Sequence, residues 1–291
     1  MAEARIPVDL ANPGQVFACL GFLEAADILV GDAEGGFDWS NEAAVAFRLR
    51  AKGDGSPVAA VLEFLRDAEV RSLAPADSQQ STEKWQVETI RSSPEDPFPY
   101  PEPSSPATLP AVLSVAGKPG IQIDHWGDAT RRDNVKFWAG AGGYPGAALA
   151  RDALALVRGQ IEEVAAEPFS LSAMQSSSFR FDWRRDYIPI DVGFSPNAHG
   201  ALDMVGYPLV EVLAAIGLGN ARPERLDKLT YRYAVVEARG KQPLIAPALL
   251  RAALGCTELP FPRRIFRMRL GWPGQENQAR CITNVIEEPK Q

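Results

Sequence analysis

Two periods run through the apolar positions of this chain. Apolar residues three or four apart mark helices, and apolar residues at every second position mark strands. Asn12 and Pro13 open the first helix as its N-cap and first helical residue; its apolar run reaches about Val30, where "GDAEGG" stops it. "AAVAFRLRA" (43–51) reads as a strand. "SPVAAVLEFLRDAEVRSL" (56–73) reads as an amphipathic helix beginning at Ser56 and Pro57. "KWQVETI" (84–90) is predicted as a strand, and the proline-rich stretch 92–110 as an extended, irregular connection.

Beyond that connection come short strands at "AVLSVAG" (111–117) and "IQIDHW" (121–126), then a helix over 145–165. "SSFRFDW" (177–183) is predicted as a strand and "MVGYPLVEVLAAIGL" (204–218) as a helix. The strand "LTYRYAVVEA" (229–238), a short helix "APALLRAAL" (246–254) and the strands "RIFRMRLGW" (264–272) and "ARCITNVI" (279–286) complete the pattern. Helices and strands mix without regular short βαβ alternation, so the expected class is α+β: a mixed or antiparallel sheet with packed helices and an irregular Pro-rich insertion. Residues 1–110 form an N-terminal region ending in the Pro-rich connection and 111–291 a second region, as two units or as one continuous domain. Two helix-then-strand pairs, "QVFACLGFLEAADIL" with "AFRLR" and "YPLVEVLAAIGL" with "YRYAVV", look loosely alike; duplication and coincidence both account for them.

Composition removes several functions. The 46% apolar and 23% charged residues are ordinary for a globular protein with a sizeable core. Glu24 and Asp27 interrupt the apolar run at 16–30, which excludes it as a membrane span or signal segment. Cys19, Cys256 and Cys281 have no CxxC spacing, which suits a reducing cytoplasm. With only His125 and His199, no HExxH and no GxSxG, neither a histidine metal site nor a nucleophile elbow is indicated; both histidines read as structural. No metal or cofactor is expected. "KFWAGAGGYPG" (136–146) lacks the GxGxxG spacing and a following GK[ST], and reads first as a structural loop. Its alternative is a phosphate cradle, with Lys136 and the amides around Gly142 and Gly143 serving a small-molecule enzyme over Gly140–Gly146.

Charge is distributed unevenly. The net charge is −7, but residues 1–110 hold 18 acidic against 8 basic residues, whereas 222–270 hold 4 acidic against 11 basic. One end repels phosphate and the other attracts it, so nucleic-acid contact would be directional. Four segments sharpen this: "FRLR" (47–50), "FRFDWR" (179–184), "YRY" (231–233) and "FRMRL" (266–270). On a strand, the rings and aliphatic groups would face the core. Arg48 and Arg50, Arg180 and Arg184, Arg232, and Arg267 and Arg269 would then face outward. Guanidinium groups present planar forks suited to phosphate oxygens. Arg185, Arg263, Arg264, Arg131, Arg132 and Lys136 extend the candidate nucleic-acid-binding set. The competing reading is a half-buried sheet whose wet side uses arginine, neutralised by neighbours such as Asp182, Asp227 and Glu237. Asp182, between Arg180 and Arg184, reads as a group that orients them rather than as a catalytic base.

Four stretches carry a family likeness over most of the chain: "IPVDLANPGQVFACLGFLEAADILVGDAEGGFDW" (6–39), "DHWGDATRRDNVKFWAGAGGYPGAALARDAL" (124–154), "FRFDWRRDYIPIDVGFSPN" (179–197) and "RRIFRMRLGWPGQENQARCIT" (263–283). Together they resemble a subunit of type I-U (I-G) CRISPR effector complexes. The resemblance implies a non-enzymatic, cytoplasmic part of an RNA-guided surveillance complex in antiviral defence. Its partners would be guide RNA, target DNA, and backbone and other subunits, with no membrane. In the large-subunit role it would contact the flanking motif and hold the opened DNA; small-subunit, backbone-like and purely architectural roles remain open.

Overall fold

The computed structural model describes residues 1–126, 144–185, 204–240, 242–271 and 280–289. Along the chain run β1 (Ala2–Pro7), α1 (Pro13–Leu29), β2 (Glu34–Asp38), β3 (Ala46–Ala51), α2 (Pro57–Asp67), β4 (Glu69–Ala74), β5 (Thr89–Arg91), β6 (Ala111–Ser114) and β7 (Ile121–Ile123). Then follow α3 (Gly146–Val157), β8 (Ala173–Met174), β9 (Val205–Gly206), α4 (Pro208–Asn220), β10 (Glu224–Arg225), β11 (Thr230–Val236), α5 (Pro247–Leu254), β12 (Arg263–Gly271) and β13 (Cys281–Glu287). The fold is α+β. One antiparallel sheet has the order β1-β3-β2 and another β10-β11-β12-β13; a mixed sheet runs β5-β4-β6-β7, with β4 and β5 parallel, and β8 pairs with β9.

Helices α1 and α4 form the centre. Each is buried through most of its length, and each opens on a proline, whose missing N–H costs nothing at that position. Their backbones touch because glycine stands at the crossing. A Cβ on Gly21 would lie 1.9 Å from the Leu213 carbonyl oxygen, and one on Gly217 2.3 Å from that of Phe17. Glu24 of α1 is also buried. Arg251 of α5 donates to it through Nε (2.7 Å) and Nη2 (2.6 Å), and Asn220 Nδ2 donates at 3.0 Å, so the carboxylate is paired rather than stranded.

The N-terminal and C-terminal sheets meet along β2. Ala238 N–H donates to Phe37 O at 2.7 Å, and Gly35 exchanges backbone hydrogen bonds with Ile245. Gly36 makes this approach feasible, since a Cβ there would meet the Ala238 Cβ at 2.4 Å. One apolar core includes Phe64 from before position 110 and Phe266 from after it.

Several predicted elements form elsewhere or end earlier. The helix from Ser56 stops at Asp67, and β4 begins at Glu69, where Val70, Ser72 and Ala74 alternate inward. The helix from Gly146 ends at Val157, just before Gly159. "KWQVETI" divides into a 3₁₀ turn at Glu83–Trp85 and the short β5, separated by Gln86 in the left-handed region. "SSFRFDW" is not a strand. Arg180 has φ +65°, incompatible with a pleated run, and Trp183–Arg185 is a 3₁₀ turn. Phe179 and Phe181 still share one side, their rings stacked at 5.5 Å and 8° in the core, although Trp183 is only half-buried.

Candidate nucleic-acid interface

The C-terminal sheet separates ring from charge as an alternating pattern requires. Phe266, Met268 and Leu270 of β12 are buried, whereas Arg267 and Arg269 are exposed. On β11, Tyr231 and Tyr233 face inward and Arg232 outward; Tyr233 stacks on Phe266 at 5.3 Å and 14°. Residues opposite one another across a ladder share a face. The outward side therefore carries Glu224, Arg232, Arg267 and Ile286 across the four strands, and beside them Thr230, Arg269 and Asn284. "FRLR" belongs to the other sheet and does not extend this surface.

Opposed arginines on adjacent strands repel, and two carboxylates offset that here. Glu288 accepts from Arg267 at 2.6 Å and lies 3.6 Å from Arg232, while Glu224 accepts from Arg232 Nε at 2.5 Å. Arg267 keeps 54% of its side chain exposed. Arg269 is exposed, with no ion pair among the described residues.

Two clefts adjoin this sheet. The first, about 670 Å³, is lined by Asp9, Gln15, Glu42, Glu167, Arg184 and Arg264, among others. The second, about 550 Å³, is lined by Trp39, Glu237, Arg239, Arg263, Arg264 and Glu288, among others. Arg264, Glu42 and Glu287 border both.

Arg184 is the one residue of "FDWR" that lines the first cleft, and the buried Asp182 behind it sets its position. Asp182 is fully buried and accepts from Arg184 through Nε (2.9 Å) and Nη2 (2.5 Å) and from Asn12 Nδ2 (2.9 Å). Asn12 is thus placed at the N-cap of α1, yet its side chain serves Asp182 instead of the helix amides. The Arg184 guanidinium lies 3.3 Å from the Tyr207 ring centroid and also donates to Phe169 O. Beneath them, the buried Glu211 accepts the backbone N–H of Phe181 (3.1 Å) and of Asp182 (3.0 Å). Burial pushes its carboxyl up to about 8; the amides oppose this and the neighbouring Asp182 charge adds to it. The network holds Arg184 in one position, the part of the orienting role expected of Asp182 that concerns Arg184, and Glu211 is too enclosed to meet a ligand.

The other candidates fall into different settings. Arg48 is 6% exposed, donating to Glu3 (2.7 Å) and, across Gly36, to Ala238 O (2.8 Å), so it ties the two sheets together and does not reach a surface. Arg50 pairs with Glu34 on the same sheet. Arg185 is buried and donates to the Gln175 and Ser176 carbonyls. Arg180 lies apart from any sheet, in the turn after Phe179. Arg263 reaches Cys256 O at 3.5 Å and Glu258 at 3.9 Å, and Arg264 is held in a two-pronged ion pair by Glu287. Arg131, Arg132, Lys136, Gly140, Gly142, Gly143, Asp186, Asp191 and His199 lie outside the described residues. His125 is buried against Trp126 and Phe181, with Nδ1 3.3 Å from Ala215 O, a packed structural histidine. Among the described residues no group of His, Cys, Asp and Glu is arranged to hold a metal ion, and no helix is long and apolar enough to cross a membrane.

Sequence reasoning missed the partners. Glu287 ends β13 and Glu288 follows it, beside an arginine strand, and the run "IEEP" was their available signal. Trp39 and Tyr207 gave none, since their positions depend on β2 meeting the C-terminal half and on the turn before α4. Comparison with protein-family models, with curated proteins and with solved structures returned no match for this chain.

Proposed function

We propose that this chain is a non-catalytic, cytoplasmic subunit of a CRISPR RNA-guided surveillance complex, contacting guide RNA or opened target DNA through the outward face of β11 and β12. The observation that carries the reading is the juxtaposition of Arg232, Arg267 and Arg269 on one exposed sheet face, backed by stacked rings. The family likeness of four stretches supplies the assembly. A subunit of this kind need not be basic overall, because neighbours supply most guide contacts; the acidic residues before position 110 suit basic partner subunits. In such complexes base pairing reads the sequence and protein reads backbone and a short flanking motif. Expression with neighbouring subunits tests the reading: the chain should co-purify with them and with an RNA of uniform length. Isolation as a chain that binds neither RNA nor partner rejects it.

A second reading is favoured by the ion pairs. Arg232, Arg264 and Arg267 each hold a glutamate, which suits a purely architectural subunit whose charges serve the fold. Intact assembly with no protein–nucleic-acid contact at this face distinguishes it.

A further inference from the structure

The second cleft contains a slot with an aromatic wall and a guanidinium wall. From its geometry we infer that it receives one unstacked base of a single-stranded nucleic acid, with Trp39 as the stacking platform. This rests on the proposed nucleic-acid reading and names what that surface holds. Trp39 follows directly on β2; it packs partly against the core and its remaining surface lines the cleft. Across from it, the Arg264 Cζ stands 6.0 Å from the ring centroid. Arg184 over Tyr207 shows the closed form of this contact, at 3.3 Å. A planar ring needs about 3.5 Å on each face, roughly 7 Å in all. The slot is therefore about 1 Å short of holding one. Arg264 supplies that ångström by turning about its side-chain bonds, exchanging part of its two-pronged pair with Glu287 and its place 5.5 Å from the Phe266 ring for the incoming base.

Charge selects among ring-bearing ligands. The cleft is lined by three arginines (Arg239, Arg263, Arg264) and four glutamates (Glu42, Glu237, Glu287, Glu288). That balance penalises a free nucleoside triphosphate far more than a neutral base whose phosphodiesters stay outside. Arg263, which also lines the cleft, has the outward register of β12, and along that side the exposed Arg267 and Arg269 continue from it and receive the flanking phosphates. Glu42 is exposed and accepts hydrogen bonds, which favours bases carrying an exocyclic amino group over uracil or thymine.

The test is binding of a labelled single-stranded oligonucleotide to the chain with its co-purifying subunits. Trp39→Leu should weaken binding about tenfold and Trp39→Phe by no more than about twofold, since stacking needs a ring. The strand should also quench part of the tryptophan fluorescence, and Trp39→Phe should remove that part; this reading holds even if the leucine variant folds poorly. Unchanged affinity in Trp39→Leu, or equal quenching in Trp39→Phe, while Arg267→Glu with Arg269→Glu still weakens binding, overturns the slot and leaves the nucleic-acid reading standing. Absence of binding by the unmodified complex overturns both. Saturable ATP binding that competes with the strand overturns the assignment to a strand and makes the source a free nucleotide.

Discussion

Arg232 and Arg267 are direct partners across β11 and β12, and the Glu288 carboxylate lies between their guanidinium groups, 3.6 and 2.6 Å away. Two like charges are held side by side on a sheet face by one anion that follows β13, with Glu224 as the second partner of Arg232. A phosphodiester carries the same charge, so it can take the place of that carboxylate. This arrangement connects the fold to the proposed function.

Replacing Glu288 should then free Arg267, while Arg232 stays paired with Glu224. Glu288→Gln is expected to raise affinity for single-stranded nucleic acid severalfold, measured by fluorescence anisotropy. Its cost to stability should be about 1 kcal/mol, because Arg267 is half-exposed although the Glu288 side chain is largely buried. A loss of affinity would mean that the glutamate organises the arginines instead of competing for them.

Arg48 should behave in the opposite way. It is buried against the Ala238 carbonyl and pairs with the exposed Glu3, so Arg48→Ala strands the carbonyl and leaves Glu3 to solvent. Urea denaturation should show a loss of about 2 kcal/mol, typical of leaving a buried acceptor unsatisfied. The salt dependence of nucleic-acid binding by the folded fraction should not change.

The crossing of α1 and α4 has no room for a methyl group. Gly21→Ala should cost about 3 kcal/mol or prevent folding, because the clash is with backbone. Gly55→Ala, in open space, should stay within about 0.5 kcal/mol by the same denaturation assay.

Glu211 sets a pH dependence. Its carboxyl rises from the ordinary 4.5 to about 8 on burial, so between those values the folded chain keeps a proton that the unfolded chain releases. Stability from this group is present in full below about 4.5 and declines as pH climbs toward 8, at up to about 1.4 kcal/mol per pH unit. Glu211→Gln should flatten that decline in denaturation series at several pH values. An unchanged slope would show that Glu211 ionises in the folded chain.

Much of the fold is legible in the sequence because it rests on local periodicity. The alternation in "YRYAVV" and "RIFRMRL" identifies both strands and the face each residue takes, and the stacking of Tyr233 on Phe266 follows from it. The same alternation fails at "SFRFDW". Two stacked phenylalanines satisfy a period of two whether or not the residue between them is extended, and the buried Asp182 and Glu211 bind the backbone there in place of a sheet neighbour. "FRLR" forms the strand its alternation predicts, but Arg48 does not reach the surface that the same alternation assigns it. Only the distant Ala238 segment, docking on β2 through Gly36, decides that Arg48 is buried. The arginines of the candidate interface can be picked out one by one from sequence; their carboxylate partners and Trp39 depend on the meeting of distant parts of the chain.

The central claim is that the exposed arginines of β12 meet phosphate. The direct test compares the assembled complex with its Arg267→Glu, Arg269→Glu form in binding single-stranded nucleic acid across a salt series. Binding should weaken, and the dependence of log affinity on log salt should become shallower by about 1.4 when two arginines no longer neutralise phosphate, at about 0.7 each. Equal affinity and an equal slope for the two complexes would contradict it.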